Sequence, residues 1–261
     1  MSGSRRRISS RDNPAVSALR AIVDEPRRCG LALIDGIHLV SAALESGAVV
    51  RQVLLSDSGL RRFEIAALLQ NIPDVEQLNL SDGLFRDLTG VATPAGIAAV
   101  IEIPAACTSD PTGDAVLLDA VQDAGNVGTI LRTVAAAGVR DVLLGPGCAG
   151  AWSARVLRAG QGAHFALRLR EQVDLAAVVG ESAAQSIATV ADGGISLYDI
   201  DLRAPVLWLV GNEGAGLSAP LRALARVCAT IPVAEGVESL NVASATAICL
   251  FEARRQRMCR T

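Results

Sequence analysis

Val116-Leu-Leu-Asp-Ala-Val-Gln-Asp-Ala-Gly-Asn-Val-Gly-Thr-Ile-Leu-Arg132 begins as an apolar run, passes through a polar turn and enters an alanine-rich pattern ending at Gly138. Asp141-Val-Leu-Leu144 is then apolar again. Strand, loop, helix and strand in this order form a βαβ unit, because parallel strands need a crossover about as long as a helix. Further short apolar runs follow at Ser186 to Val190, Val206 to Val210 and Cys228 to Ile231, separated by helical stretches. A last helix from Leu240 to about Met258 starts with Val242, Ala243, Ala245 and Ala247, small enough for close packing. It ends near Arg254, Arg255, Arg257 and Arg260, cations that suit the negative end of a helix. The pattern predicts an α/β domain over 114–261, a mostly parallel sheet with helices on both faces.

Upstream, Pro104 to Gly113 is rich in proline, small polar residues and glycine without periodicity, so it reads as a linker over 104–113. Residues 13–103 read as a smaller α/β domain. Asn13-Pro14 caps a helix over Ala15 to Val23. Strands are expected at Leu31 to Ile34, Val50 to Leu55, Val75 to Leu80 and Ile97 to Glu102, with helices at Ile37 to Glu45 and Arg62 to Leu69. Residues 1–12 read as an arginine-rich tail. The first thirty residues carry seven arginines against Asp12, Asp24 and Glu25. Arg5, Arg6, Arg7 and Arg11 are therefore candidate phosphate contacts, since a guanidinium fork matches a phosphate; a solvated tail would look the same.

Half of the 261 residues are apolar, yet no stretch reaches the roughly 18 uninterrupted apolar residues of a membrane span. The N-terminus shows no hydrophobic signal core, so a cytoplasmic protein without membrane contact is expected. The formal charge of −3 gives no overall attraction to nucleic acid, which places any such contact on local patches. Six scattered cysteines with no C-x-x-C pair, and only His38 and His164, offer neither a metal site nor a disulfide framework.

Three loops hold chemistry-bearing residues. In the first, Asn126 lies near a helix start and Arg132 about 1.7 turns later, some 120° around the helix. A capped helix with a surface arginine explains this loop equally well. In the second, Gly211-Asn-Glu-Gly-Ala-Gly-Leu-Ser218 follows a very apolar strand, and its glycines let a ligand approach the backbone. Glu213 stands among them at a strand's C-terminal end, where α/β sheets place functional groups. In the third, Ser239 or Asn241 opens the final helix, a position that a plain N-cap also explains. Gly145-Pro-Gly-Cys-Ala-Gly150 matches G-x-G-x-x-G, with Glu171 about twenty residues on, and keeps an NAD-dependent oxidoreductase as an alternative. Its proline inside the turn and Trp152 directly after it fit that motif poorly.

Taken together, N-V-G-T-I-L-R at 126–132, L-V-G-N-E-G-A-G-L-S at 209–218 and I-P-V-A-E-G-V-E-S-L-N-V-A-S-A-T at 231–246 resemble the SpoU branch of the SPOUT RNA methyltransferases. Arg158-Ala-Gly-Gln-Gly-Ala-His-Phe165 is similar to that family's R-x-x-x-G-A-x-F segment, while Ala124 stands where many members have proline. Gly30 to Val40 and Gly90 to Val100 look like the branch's N-terminal substrate-binding domain, with Asp35 in place of the commoner glutamate.

The resemblance implies a C-terminal trefoil knot, a rare exception to unknotted topology, and S-adenosylmethionine as cofactor. It implies cofactor contacts at Gly211, Asn212, Gly214, Ile231, Pro232, Leu240 and Asn241. Arg132, Asn126, Glu213, Ser239 and Asn241 would surround the reacting ribose 2'-hydroxyl, and Arg158 would join the amino-terminal arginines in contacting RNA. Family members pair as homodimers through the knotted half, so Arg132 can serve a neighbouring subunit. A guanidinium stays protonated and is no base. Arg132 is therefore expected to stabilise charge developing on the ribose oxygen, with a substrate phosphate or ordered water taking the proton. Ribosomal RNA is expected rather than transfer RNA, and a non-catalytic RNA-binding module is the remaining alternative. A binding comparison separates the two cofactor classes: the protein is expected to bind S-adenosylmethionine and not NAD, and the reverse result would favour the oxidoreductase.

Overall fold

The computed structural model describes residues 6–72, 75–107 and 109–258, so Arg5, Cys259 and Arg260 lie outside the described residues. The chain divides into two compact units. One takes the described residues up to Ala105 together with Trp152–Phe165; the other takes Ala106–Ala151 and the chain from Ala166 onward.

The first unit contains β1 (Arg6–Ile8), α1 (Pro14–Asp24), α2 (Pro26–Cys29), β2 (Leu31–Asp35), α3 (Ile37–Glu45), β3 (Val50–Ser56), α4 (Phe63–Leu69), β4 (Glu76–Leu80), α5 (Asp82–Thr89) and β5 (Ile97–Glu102). Its strands form one mixed sheet in the order β1-β4-β3-β5-β2. β5 runs antiparallel to both neighbours, and the other pairs are parallel. α1 starts where expected, because the Asn13 Oδ1 accepts from the Ala15 amide at 3.0 Å and Pro14 takes the first helical position. Its apolar side buries Val16 and Leu19 in a core with Leu33, Leu54, Leu78 and Phe85.

The arginine-rich start is not a tail throughout. From Arg6 to Ile8 it is an edge strand paired in parallel with Leu78–Leu80, and Ile8 is buried. A single apolar residue among arginines gives no alternation to read, and its partner strand is about seventy residues away. Arg7 donates to Asp57 at 2.7 Å and Arg11 pairs with Asp87, while Arg6 remains exposed. α5 is an element the periodicity alone does not bring out. Its boundary signals are present in Ser81, whose Oγ caps Leu84, and in Gly90, left-handed with φ 66°.

The second unit starts with β6 (Ala115–Leu118), α6 (Ala124–Ala137) and β7 (Asp141–Leu144). The next helix, α7 (Ala154–Gly160), lies within Trp152–Phe165 and so clusters with the first unit. There the Arg158 Nη1 donates to Asp35 Oδ1 at 3.4 Å and to the Thr89 carbonyl at 3.2 Å. Arg158 is thus tied within that unit through its Nη1. Burial pushes the Asp35 carboxyl up, and Arg158 only partly offsets this. Within residues 104–113, the part beyond Ala105 clusters with the second unit, where Asp110 pairs with Arg170.

After α7 come β8 (Arg168–Glu171), α8 (Leu175–Glu181), β9 (Gln185–Thr189), β10 (Ile195–Ser196), β11 (Val206–Val210), α9 (Ala219–Leu224), β12 (Val227–Thr230) and α10 (Val242–Met258). The strands form a seven-stranded sheet in the order β10-β12-β9-β11-β6-β7-β8, parallel at every pair. Crossovers rightward from β6 and leftward from β8 and β11 put α6 on one face and α8 with α9 on the other, by the right-handed rule. α8 and α9 accordingly bury Leu175, Val179 and Leu221 against Leu117, Leu207 and Leu209, and α10 packs against α6. β6 and β11 are neighbours whose connections leave to opposite faces, a switch point that opens a crevice at their C-terminal ends.

The far end of α10 is anchored at the opposite edge. Asp114 Oδ1 accepts from the Val206 amide at 2.8 Å and from the Arg257 Nη2 at 3.0 Å, joining the starts of β6 and β11 to the last helix. Asp114→Ala removes these hydrogen bonds and leaves the half-buried Arg257 guanidinium with only its carbonyl acceptors at Leu202 and Ala204, so urea unfolding should show a loss of about 2 kcal/mol.

Candidate active site

Four segments wall one cavity of about 220 Å³ at the C-terminal ends of β9, β11 and β12: 189–191 at the end of β9, 211–216 after β11, 229–233 at the end of β12, and 238–245 leading into α10. Apolar walls come from Val190, Ile231, Val233 and Leu240, and polar groups from Asn212, Glu213, Glu238 and Ser239.

The 211–216 loop is shaped by its own side chains. Asn212 Oδ1 accepts from the Gly214 and Ala215 amides, each at 2.9 Å, and closes a tight turn that Asn212 and Gly216 clamp through reciprocal backbone bonds. The Asn212 Nδ2 donates to the Ala120 carbonyl at 2.8 Å. Ala120 has φ 54°, a left-handed conformation unusual for a residue with a Cβ, and this bond helps hold it there. Gly211 is required sterically: a Cβ there would stand 2.3 Å from the Gly216 carbon and the Leu217 nitrogen.

Glu213 joins the loops. Its Oε2 accepts from the Gln122 amide at 3.2 Å, and its Oε1 from the Asp123 amide and the Asn126 Nδ2, each at 3.1 Å. The Asn126 Oδ1 in turn accepts from the Asn241 Nδ2 at 2.9 Å. Asn241 Oδ1 caps α10 through the Ala243 and Ser244 amides, and Asp123 caps α6 through Asn126. Burial pushes the Glu213 carboxyl up, but the hydrogen bonds from Asn126 and from the backbone of Glu213, Asp123 and Gln122 outweigh it and hold the pKa below its ordinary 4.5. Glu213 is therefore an ionised brace at neutral pH rather than a proton donor.

Of the residues singled out from sequence, Gly211, Asn212, Glu213, Gly214, Ile231, Ser239 and Leu240 line the cavity. Asn126 and Asn241 support its wall through Glu213, while Pro232 is outside the lining. Arg132 is exposed on α6, about 9 Å along the helix from Asn126, and is not part of the lining. Sequence reading missed Thr189, Val190, Ala191 and Glu238. The first three end or follow the parallel strand β9, a location that itself marks ligand loops, and Glu238 immediately precedes the Ser239 already singled out. The G-x-G-x-x-G match at 145–150 does not open a helix within this unit: turns follow β7, and helix resumes only at Ala154. Glu171, the acid such a motif would use, accepts instead from the Ala151 amide at 2.9 Å.

Because the folded pKa of Glu213 is depressed, its bracing is complete above the pKa of an unfolded glutamate and is lost as pH falls through the lower folded value. Exchange protection of the Gln122 and Asp123 amides should therefore stay level from pH 8 to pH 5 and decline only below the ordinary carboxylate range. In Glu213→Gln it should be reduced at every pH.

A profile of the SpoU rRNA methylase family matches residues 114–251. A 23S rRNA guanosine 2'-O-methyltransferase of Bacillus subtilis is 35% identical over 225 residues, covering 85% of this chain and 88% of that protein. Among solved structures, the SpoU methyltransferase AviRb of Streptomyces viridochromogenes, in complex with AdoMet, superposes with a TM-score of 0.84 at 28% identity, over 95% of this chain and 99% of that one. An AdoMet-bound rRNA methyltransferase from Sinorhizobium meliloti gives 0.83 at 29% identity, over 97% and 98%. The matched stretch runs from the strand that opens the second unit into the helix that closes it and carries every loop that meets at the cavity, so the chain belongs to the SpoU rRNA methylase family.

Proposed function

We propose that this protein methylates a ribose 2'-hydroxyl of ribosomal RNA with S-adenosylmethionine as donor. The observation that carries the reading is the convergence of four separate segments on one cavity at the C-terminal end of the parallel sheet, in a chain of this family. The cavity suits the cofactor: it pairs apolar walls at Ile231 and Leu240 with exposed loop backbone, and Gly211 leaves no side chain in the way. Gly211, Asn212, Gly214, Ile231 and Leu240 would hold it, with Pro232 and Asn241 shaping the loop behind them. When bound, S-adenosylmethionine supplies an activated methyl group that an oxygen nucleophile can displace in line.

The chain's own residues then have separate tasks. Glu213, Asn126 and Asn241 fix the relative positions of the loops, and Ser239 offers a hydroxyl at the cavity wall. Arg132 contributes a permanent positive charge that stabilises an oxygen losing its proton, with a substrate phosphate or ordered water as acceptor. Since Arg132 is outside its own chain's cavity lining, it acts in the site of a second copy. An apolar stripe on α10 supports such a homodimer: Phe251 and Met258 are 45% and 71% exposed, with the half-buried Ile248 at helical spacing beside them.

The knotted course of the chain belongs to the same proposal. Residues 200–204 bond across the end of α10, with the Gln256 Nε2 donating to the Ile200 carbonyl at 3.0 Å and the Arg257 Nε to the Leu202 carbonyl at 2.9 Å. Such bonds suit a strap closed over a threaded helix. The work is placed in the cytoplasm. No described helix is long and apolar enough to cross a membrane, and the five described cysteines are free thiols, in keeping with a reducing compartment.

Transfer of labelled methyl groups to ribosomal RNA, with the product mapped to a ribose, tests the reading; labelling of transfer RNA alone, or of a base, would overturn it. Arg132→Ala should lower the single-turnover rate at least a hundredfold while changing affinity for S-adenosylmethionine by no more than about twofold. Phe251→Asp should shift the sedimenting mass from dimer to monomer.

A further inference from the structure

The first unit displays one large aromatic side chain in a way its fold does not need. Phe63, at the start of α4, is 86% exposed, the most open of the large apolar side chains among the described residues, in a chain that is only 3% aromatic. Burying a phenylalanine normally stabilises a fold, a gain this position forgoes.

The turn that presents it is tightly built. Gly59 packs so closely on Gly96 that a Cβ at Gly59 would sit 2.1 Å from the Gly96 carbonyl oxygen. The Ser56 Oγ accepts from the Gly59 amide at 2.9 Å, and Asp82 Oδ1 accepts from the Ser58 amide and hydroxyl at 2.9 and 2.7 Å. Arg62 donates to the Ala95 carbonyl and to Glu64, each at 3.0 Å. Glu64 is thereby occupied by Arg62, and Asp82 by the turn, with Arg61 near enough to help keep its carboxyl pKa low. What the turn offers to solvent is Phe63, with the exposed Arg61 two residues before it in the chain.

We propose that Phe63 is a stacking platform for an unpaired base of the RNA substrate, and that Arg61 contacts the phosphate beside that base. This rests on the ribosomal RNA reading given above. Unpaired bases are the part of RNA that proteins read by stacking on aromatic rings, and a ring carried on a hydrogen-bonded turn has only its own two torsions to lose when a base settles on it. An adjoining arginine favours a polyanion over a second apolar surface.

The test is filter binding of the full-length protein to in vitro-transcribed 23S rRNA over a range of salt, with methyl transfer measured in parallel. Phe63→Ala should weaken binding about tenfold, Phe63→Trp should restore it, and the salt slope should stay that of the wild type. Arg61→Gln should reduce the slope by about one. Melting temperature and affinity for S-adenosylmethionine should not move in any of these variants. Unchanged RNA affinity in Phe63→Ala overturns the proposal, as does full restoration by Phe63→Leu, which would make the contact merely apolar. A change confined to sedimenting mass overturns it too, since a second copy would then be the occupant. If the wild type methylates ribosomal RNA and Phe63→Ala binds it normally, the platform fails while the functional reading stands; a wild type that neither binds nor methylates RNA refutes both.

Discussion

One carboxylate has three parts of the second unit to hold. Glu213 is on the loop after β11, and it accepts from two backbone amides and one side-chain amide of the loop and helix after β6. Asn126 passes the connection to Asn241, which caps the last helix. An acceptor with four lone-pair sites is well suited to such a junction, because it can take several N–H donors from different directions. The same bonds keep it ionised, and a carboxylate committed in this way supports chemistry without taking part in proton transfer.

The sheet explains why the junction is needed. Loops from neighbouring strands diverge at a switch point, because their helices leave to opposite faces, and the crevice between them has no covalent floor. Hydrogen bonds across it set the spacing that a ligand meets. At the opposite edge Asp114 ties the starts of β6 and β11 to the end of α10, so the final helix is fixed at both ends. The left-handed Ala120 lies between these anchors and is held by Asn212, a local strain next to the cavity that the surrounding bonds sustain.

Elements with a clear apolar period were legible in advance. The helix at Ile37–Glu45 and the strands at Ile97–Glu102, Asp141–Leu144 and Val206–Val210 stand where periodicity puts them. Those that escaped are short and polar or are stabilised by distant partners. β1 has one buried residue, β8 is Arg-Leu-Arg-Glu with none buried, and α5 has its signal in the capping residues Ser81 and Gly90. Seven of the cavity-lining residues were found through motif loops, whereas Thr189 to Ala191 end or follow a strand with no distinctive chemistry of their own.

The α/β class, most of the elements with a clear apolar period and two of the loops that line the cavity follow from the sequence alone, since they depend on local period, capping and glycine placement, all written within a few neighbouring residues. Which residues brace and which face the cavity was decided only by the tertiary structure. Asn126 and Asn241 are 115 positions apart, and the bond between them exists because the sheet brings their loops together. The same holds for Arg158: its spacing in a motif cannot reveal that Asp35, 123 positions away, takes up its charge. A side chain's role is set by the partners that surround it, and long-range partners are determined by topology rather than by the residues beside it in the chain.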